Sequence, residues 1–410
     1  MTAKDFKAAV ALDPAWAAGL TKPVKITGYC DMAGSGVTHL SPYLHFRGRD
    51  RSGKAASFAN CTQLKVAEGH FAGFVDFSGS GVERVGELTI TAPGIAGLAA
   101  SFVRCGNLKV AEGTFPGYVV FDGSGIERIG NLCITAPDED GIAASFEGCE
   151  NLKLAEGTFP GSVAFNGSGI ERIGDLQITK PDSFGIAAMF NYCNKLKVAE
   201  GKFPGYVEFE DSGVEKIGTL SIDAPDEAGE AASFGGCSKL KVAQGTFPGS
   251  VEFANSGVEL IRRLHIIARD TQGNAASFFA CSNLKVAEGT FPGYVNFKRT
   301  GIEKIGTLVI THPNANLHAA GFQECEKLKL AGGKFAGSVD FSNSGIKKTR
   351  NLNITSGGHD GIKANFLGCD ILLPAKFLGP EYQMDDLIRQ KNQGRIAAGK
   401  ALKAQPEIEI

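Results

Sequence analysis

The sequence predicts a repeat solenoid, mainly β, in which short parallel strands stack coil on coil between terminal helical caps. Three observations carry this. Cysteines stand at Cys61, Cys105, Cys149, Cys193, Cys237, Cys281, Cys325 and Cys369, each 44 residues after the last. Apolar residues alternate in short pieces, as in Leu152-x-Leu154, Val163-x-Phe165, Leu176-x-Ile178 and Ala188-x-Phe190. Turn residues (Pro160-Gly161, Ser168-Gly169, Pro181 through Gly185) separate the pieces. A fixed period of about 20–50 residues marks stacked repeats, whose units bury each other's apolar faces. Alternation at period two argues strand rather than helix. No residue is gained or lost between Cys61 and Cys369, which suits coils held in register.

Each unit reads as two unequal coils of 19 and 25 residues, counted from Phe190 to Phe209 and from Phe209 to Phe234. Each strand piece spans about three residues. Pro160-Gly161 fits a type II turn in which the glycine supplies a positive φ. Three phenylalanine columns begin at Phe58, Phe71 and Phe77 and take up 22 of the 28 phenylalanines, so they are assigned to the core.

In chain order, residues 1–57 are an N-terminal cap with a degenerate partial repeat. A short helix within 1–22 offers Phe6, Val10, Leu12, Trp16 and Leu20 to the first coil, and Asp13-Pro14 interrupts it. Ser35-Gly36-Val37 matches the later Ser-Gly turns. Residues 58–369 are the solenoid of 44-residue units. Pro occupies the five central turns and becomes Ala72 and Ala336 in the end units, while the following glycine stays. Residues 370–410 form a C-terminal cap. From Pro380 the chain reads as helix, with Glu381, Asp385 and Asp386 early and Arg395, Lys400 and Lys403 late, matching the helix dipole.

The 410 residues carry 42 basic and 44 acidic side chains, a balance that gives no global argument for nucleic acid or an acidic membrane. The N-terminus lacks a basic start followed by an apolar run, and no apolar run reaches the ~18 residues of a membrane span. Cysteines two coils apart lie ~10 Å from each other, beyond the ~7 Å limit for a disulfide. No CxxC or HxxxH pair suggests zinc, and Cys30, His39 and His45, outside the ladder, have no ligand spacing. The expectation is no metal, no cofactor, buried free thiols and a reducing cytoplasmic setting. Signal-independent export stays open.

A lysine column (Lys65 through Lys329) faces outward beside a glutamate column (Glu83 through Glu303), and the two are expected to neutralise each other. Invariant positions define the scaffold, and variable outward positions define what it presents. The outward residue of the Leu-x-Ile strand varies fully: Thr89, Cys133, Gln177, Ser221, His265, Val309, Asn353. So does that of the Val-x-Phe strand, from Asp76 and Val120 to Asp340. A third column alternates Tyr118, Ser162, Tyr206, Ser250, Tyr294 and Ser338, and tyrosine suits interfaces.

The stretch LQITKPDSFGIAAMFNYCNKLKV and its copies with FEGCENL resemble the BspA-type bacterial leucine-rich repeat, in which a strand, a Pro-containing turn and Phe-x-Gly-Cys-x-x-Leu follow one another. VAFNGSGIERIGDLQI looks like a more ordinary leucine-rich repeat core. The likeness covers about residues 58–372. It implies a leucine-rich-repeat-like stack, a curved solenoid whose strand faces bind other proteins or glycans.

The function expected is therefore a non-enzymatic scaffold that binds a protein partner, or a glycan, without nucleic acid or membrane. The residues expected to carry it are Gln177, Ser221, His265, Val309, Asn353, Tyr118, Tyr206 and Tyr294. The alternative is a self-assembling structural protein, since stacked coils have open ends. A β-helix enzyme acting on polysaccharide would need clustered carboxylates, and here the acids fall in repeated columns.

Overall fold

The computed structural model describes residues 1–403, with side chains to residue 398. The chain divides into two compact units, 1–214 with 218–226, and 215–217 with the described residues from 227 onward. Each is a parallel β-solenoid built from the same coil.

In the copy that contains Cys149, the strands are Leu154–Phe159, Ser162–Ala164, Arg172–Ile178 and Ile186–Met189. The two long strands pair in parallel, with Thr158 opposite Gln177 and Phe159 opposite Ile178, an offset of 19 residues. The two short strands pair with Val163 opposite Ala188, an offset of 25. The second unit repeats both offsets at Thr246–His265 and Val251–Ala276. Each coil thus adds one strand to a short-strand sheet and one to a long-strand layer, the long-strand sheet, whose hydrogen bonding is grouped into ladders of two, four and six strands. The longer coil carries a Pro-Asp-x-x-Gly loop, in which Asp182 Oδ1 accepts from the amides of Phe184 and Ile186 at 3.0 and 2.9 Å.

The long strands run to six and seven residues, twice the length read from alternation. A bulge hides the rest. The register shifts between Ala155 and Gly157, and Gly157 has φ +108°. Opposite it, inward-facing Ile173 and Leu176 stand three apart, which breaks period two.

The Pro-Gly turn also differs from the type II expectation, because Gly161 does not take a positive φ. A side chain there would run into the carbonyl oxygen of Gly141 in the neighbouring coil and approach Pro137 Cβ to 2.7 Å. Close backbone approach, not conformational freedom, keeps the glycine where proline becomes Ala72 or Ala336.

Inside, two of the three phenylalanine columns merge. Phe58, Phe77, Phe102, Phe121, Phe146, Phe165 and Phe190 form one continuous stack with centroids 5.1–5.5 Å apart and planes within 14°. The third column meets it edge-on, as Phe115 meets Phe102 at 79°. The second unit has the same stack from Phe234 to Phe366. A fully buried phenylalanine contributes about 1.5–3 kcal/mol.

The ladder cysteines are buried and form no disulfide. Each thiol finds a donor's role: Cys149 Sγ donates to the Phe121 carbonyl at 3.1 Å and lies 3.4 Å from Ser124 Oγ. Cys193 and Cys281 repeat this with Phe165 and Ser168, and with Phe253 and Ser256. The Ser35 match holds as well, since Ser35 Oγ sits 3.5 Å from Cys61 Sγ. Burial pushes the Cys149 and Cys281 thiols up to about 11.

Both ends are closed. Helix Ala3–Leu12, with a Thr2–Asp5 capping box, buries Phe6 and Val10; Leu12, expected on the packed side, ends the last turn 89% exposed. Phe6 packs edge-on against Trp16 and Phe46. At the other end the helix begins at Asp386, not at Pro380, because Tyr382–Gln383 first pairs as a strand with Ala364–Asn365. Asn392, fully buried on that helix, completes the last coil: its Oδ1 accepts from the Leu373 amide at 2.9 Å and its Nδ2 donates to the Ile371 carbonyl at 3.0 Å. Lys400 and Lys403, read as dipole partners, have no described side chains. Among the described residues, no helix is long and apolar enough to cross a membrane.

Candidate binding face

The outer surface of the long-strand sheet is built by the bulge. It turns the residue before each core phenylalanine outward and sets it beside the variable residue of the next coil. In the first unit the row runs His45, His70, Thr89, then Thr114 beside Cys133 and Thr158 beside Gln177. In the second it runs Thr246 beside His265, then Thr290, Val309, Lys334 and Asn353. Thr89, Cys133, Gln177, Ser221, His265 and Asn353 are exposed and Val309 is half-buried. The sequence reading found only every second member. His70, Thr114, Thr158, Lys202, Thr246, Thr290 and Lys334 escaped it, although their fixed place between Gly and Phe was a usable signal.

The lysine and glutamate columns border this face and pair with each other. Lys65–Glu83, Lys109–Glu127, Lys153–Glu171 and Lys241–Glu259 lie 2.6, 3.0, 3.8 and 2.7 Å apart. Such exposed pairs contribute ~0–1 kcal/mol each and offset the lysine charge where they form; at the end of the column Lys329 meets Lys347 in place of a glutamate.

The tyrosines lie elsewhere, on the short-strand sheet, and are not displayed. Tyr206 is 6% exposed, while Tyr118 and Tyr294 are half-buried, each in register beside a neighbouring strand (Leu98 for Tyr118, Asn274 for Tyr294). Burial, reinforced by the Asp340 charge, pushes the Tyr294 phenol up to about 12. The Val-x-Phe column is half-buried too, and Ala164 is 4% exposed. This sheet is lined with acids: a notch of about 250 Å³ in the second unit is bounded by Glu230, Glu252, Asp270, Asn274, Tyr294 and Asn296. No three His, Cys, Asp or Glu side chains among the described residues are arranged to hold a metal ion.

Two acids on or just after strands of this sheet, Glu208 and Asp122, are shifted by burial. Burial raises Asp122 and Glu208 above the usual carboxylate range; for Glu208 a 2.5 Å hydrogen bond from Asn191 Nδ2 opposes the shift. A carboxyl that holds its proton more tightly folded than unfolded favours the fold at low pH, and that contribution is lost as pH rises through the folded value. Glu208→Gln is therefore expected to raise the melting midpoint at neutral pH and to leave it unchanged below the unfolded value of about 4.3. Thermal melts of both proteins across pH check this; a pH-independent difference would contradict it.

No family model, curated protein or solved structure matches the chain. The fold and the face together define a parallel β-solenoid repeat protein.

Proposed function

We propose that the chain is a non-enzymatic scaffold that captures a protein partner on the exposed row of the long-strand sheet. One observation carries this reading: within each unit, outward residues that differ in every copy lie in a register-aligned, exposed row on an otherwise repeated framework. A likeness to BspA-type leucine-rich repeats points the same way. Self-assembly ranks second, since residues of both termini occupy the strand edges on which end-to-end growth would depend.

The test is the variant Gln177→Ala, Ser221→Arg, His265→Ala. Exposed substitutions of this kind shift stability by about 0.5 kcal/mol or less. The variant should melt like the parent and lose capture of the protein partner by tenfold or more, on the scale of an interface anchor of ~2 kcal/mol. Unchanged capture would assign binding to another surface.

A further inference from the structure

The long-strand face does not carry the same charge in both units. In the first, its strands from Val66–Phe71 to Val198–Phe203 bear Arg84, Arg128, Arg172 and Lys202 against Glu68, Glu87, Glu112, Glu156, Asp175 and Glu200. In the second, the strands from Val242–Phe247 to Lys348–Ile354 bear Arg262, Arg263, Lys304, Lys334, Lys348 and Arg350 against Glu288 alone. All six cations are exposed, and none has an ion-pair partner within 4.0 Å among the described residues.

The change follows a rule within the array. Five copies pair a strand glutamate with a glycine of the next coil: Glu68 with Gly86, Glu112 with Gly130, Glu156 with Gly174, Glu200 with Gly218, Glu288 with Gly306. Two copies place arginine at the glycine position, Arg262 and Arg350, and in both the glutamate is gone, replaced by Gln244 and Gly332. Packing explains part of this in the first copy, where the Glu68 side chain covers Gly86; at Gly130, Gly174, Gly218 and Gly306 the nearest atom belongs to Val110, Leu154, Val198 and Val286. Packing does not require a cation there, or a second one at Arg263. Arg263 also takes φ +52°, a left-handed conformation that costs an ordinary residue about 1 kcal/mol or more.

Four of the cations, Arg262, Arg263, Lys334 and Arg350, frame two recesses that meet. One, of about 530 Å³, is lined by Arg262, Arg263, Thr290, Thr307 and Val309, with Glu288 as its one carboxylate. The other, of about 580 Å³, is lined by Thr307, Val309, Lys334, Arg350 and Asn351. Thr307 and Val309 belong to both. Arg262 and Arg350 are four strand spacings apart, about 19 Å, too far for one small anion.

We propose that this basic groove of the second unit binds a linear anionic polysaccharide, a chain bearing sulfate or carboxylate groups. Arg and Lys meet the anionic groups. The hydroxyls of Thr290 and Thr307 and the amide of Asn351 suit sugar hydroxyls lying between them. Tyrosine, phenylalanine and tryptophan are absent from the outward positions of these described strands, so the stacking platform that a single-stranded nucleic acid uses is missing. The inference rests on reading the long-strand face as the binding surface.

The experiment titrates the full chain with a heparin oligosaccharide at low and at physiological salt. Its comparison ligands are single-stranded DNA and polyglutamate of equal charge and uncharged dextran. Variant one, Arg262→Gly, Arg263→Asn, Arg350→Gly, restores residues that other copies carry and so preserves the coil. Variant two, Lys241→Ala, Lys285→Ala, Lys329→Ala, removes as many charges from the edge column. The expected result is heparin binding that weakens with salt, falls roughly tenfold or more in variant one, and loses about two units of salt slope there, on the scaling of single-stranded polyanions. Variant two should bind nearly as the parent. Equal loss in both variants, or tighter binding of DNA or polyglutamate than of heparin, would overturn the proposal. Absence of heparin binding with partner capture intact overturns this inference alone; loss of both readings would remove the face as a binding surface.

Discussion

Gly169→Ala is expected to destabilise the first unit by about 3 kcal/mol or more, although it adds a single methyl group. The Gly169 amide donates to the Cys149 carbonyl at 3.0 Å, which draws the Ser-Gly turn against the Phe-x-x-Cys turn of the neighbouring coil. A Cβ at Gly169 would collide with the Glu150 carbonyl oxygen and come within 3.1 Å of that of Leu152. Both are backbone atoms, so no side chain can move aside. Gly81, Gly125, Gly213, Gly257, Gly301 and Gly345 meet the equivalent carbonyl in their own copies, which is why this glycine never varies. Gly106→Ala is the control: it adds the same methyl where nothing lies within 4 Å, and φ is not positive there. It should be neutral or stabilising by up to ~1 kcal/mol. Urea unfolding of the pair decides, and equal midpoints would show that the close approach is not what holds the turn.

Asn392→Leu should have the second large effect, at the end of the stack. The last coil ends at an isolated parallel bridge, Leu372 beside Lys348, whose flanking Leu373 amide and Ile371 carbonyl would otherwise face no partner. The Asn392 side chain presents one acceptor and one donor, as a further strand would, and Arg395 covers the Leu373 carbonyl at 2.8 Å. Leucine fills the space and leaves both backbone groups buried and unpaired, at about 1–3 kcal/mol each. In a linear repeat array the loss stays near the end. Amide exchange at Ile371–Leu373 should accelerate while the Cys149 copy remains protected. An uncovered edge also recruits other chains, so light scattering should show a mass that grows with concentration. Unchanged exchange and constant mass would mean that the helix, not this amide, closes the stack.

The sequence by itself determined the period, the two coil lengths, the core phenylalanines, the thiols that form no disulfide and the Lys–Glu edge. Each is a statement about one residue type at one recurring position, and copying makes such statements redundant. Coil lengths of 19 and 25 could be counted because Phe190, Phe209 and Phe234 mark the same corner in successive turns. Tertiary structure alone decided what stands beside what. Thr158 joined Gln177 in the exposed row, and two phenylalanine columns became one stack, because alternating offsets bring different sequence positions to one side of the coil. The tyrosines, outward by alternation, are buried (Tyr206) or half-buried (Tyr118, Tyr294) because neighbouring strands crowd them. Gly161 and Gly169 looked like turn residues and proved to be contact residues, because backbone approach between coils leaves no trace in a periodic pattern. The unpaired charge of Arg262 and Arg350 emerged the same way, since it depends on which residue of the adjacent coil faces each arginine.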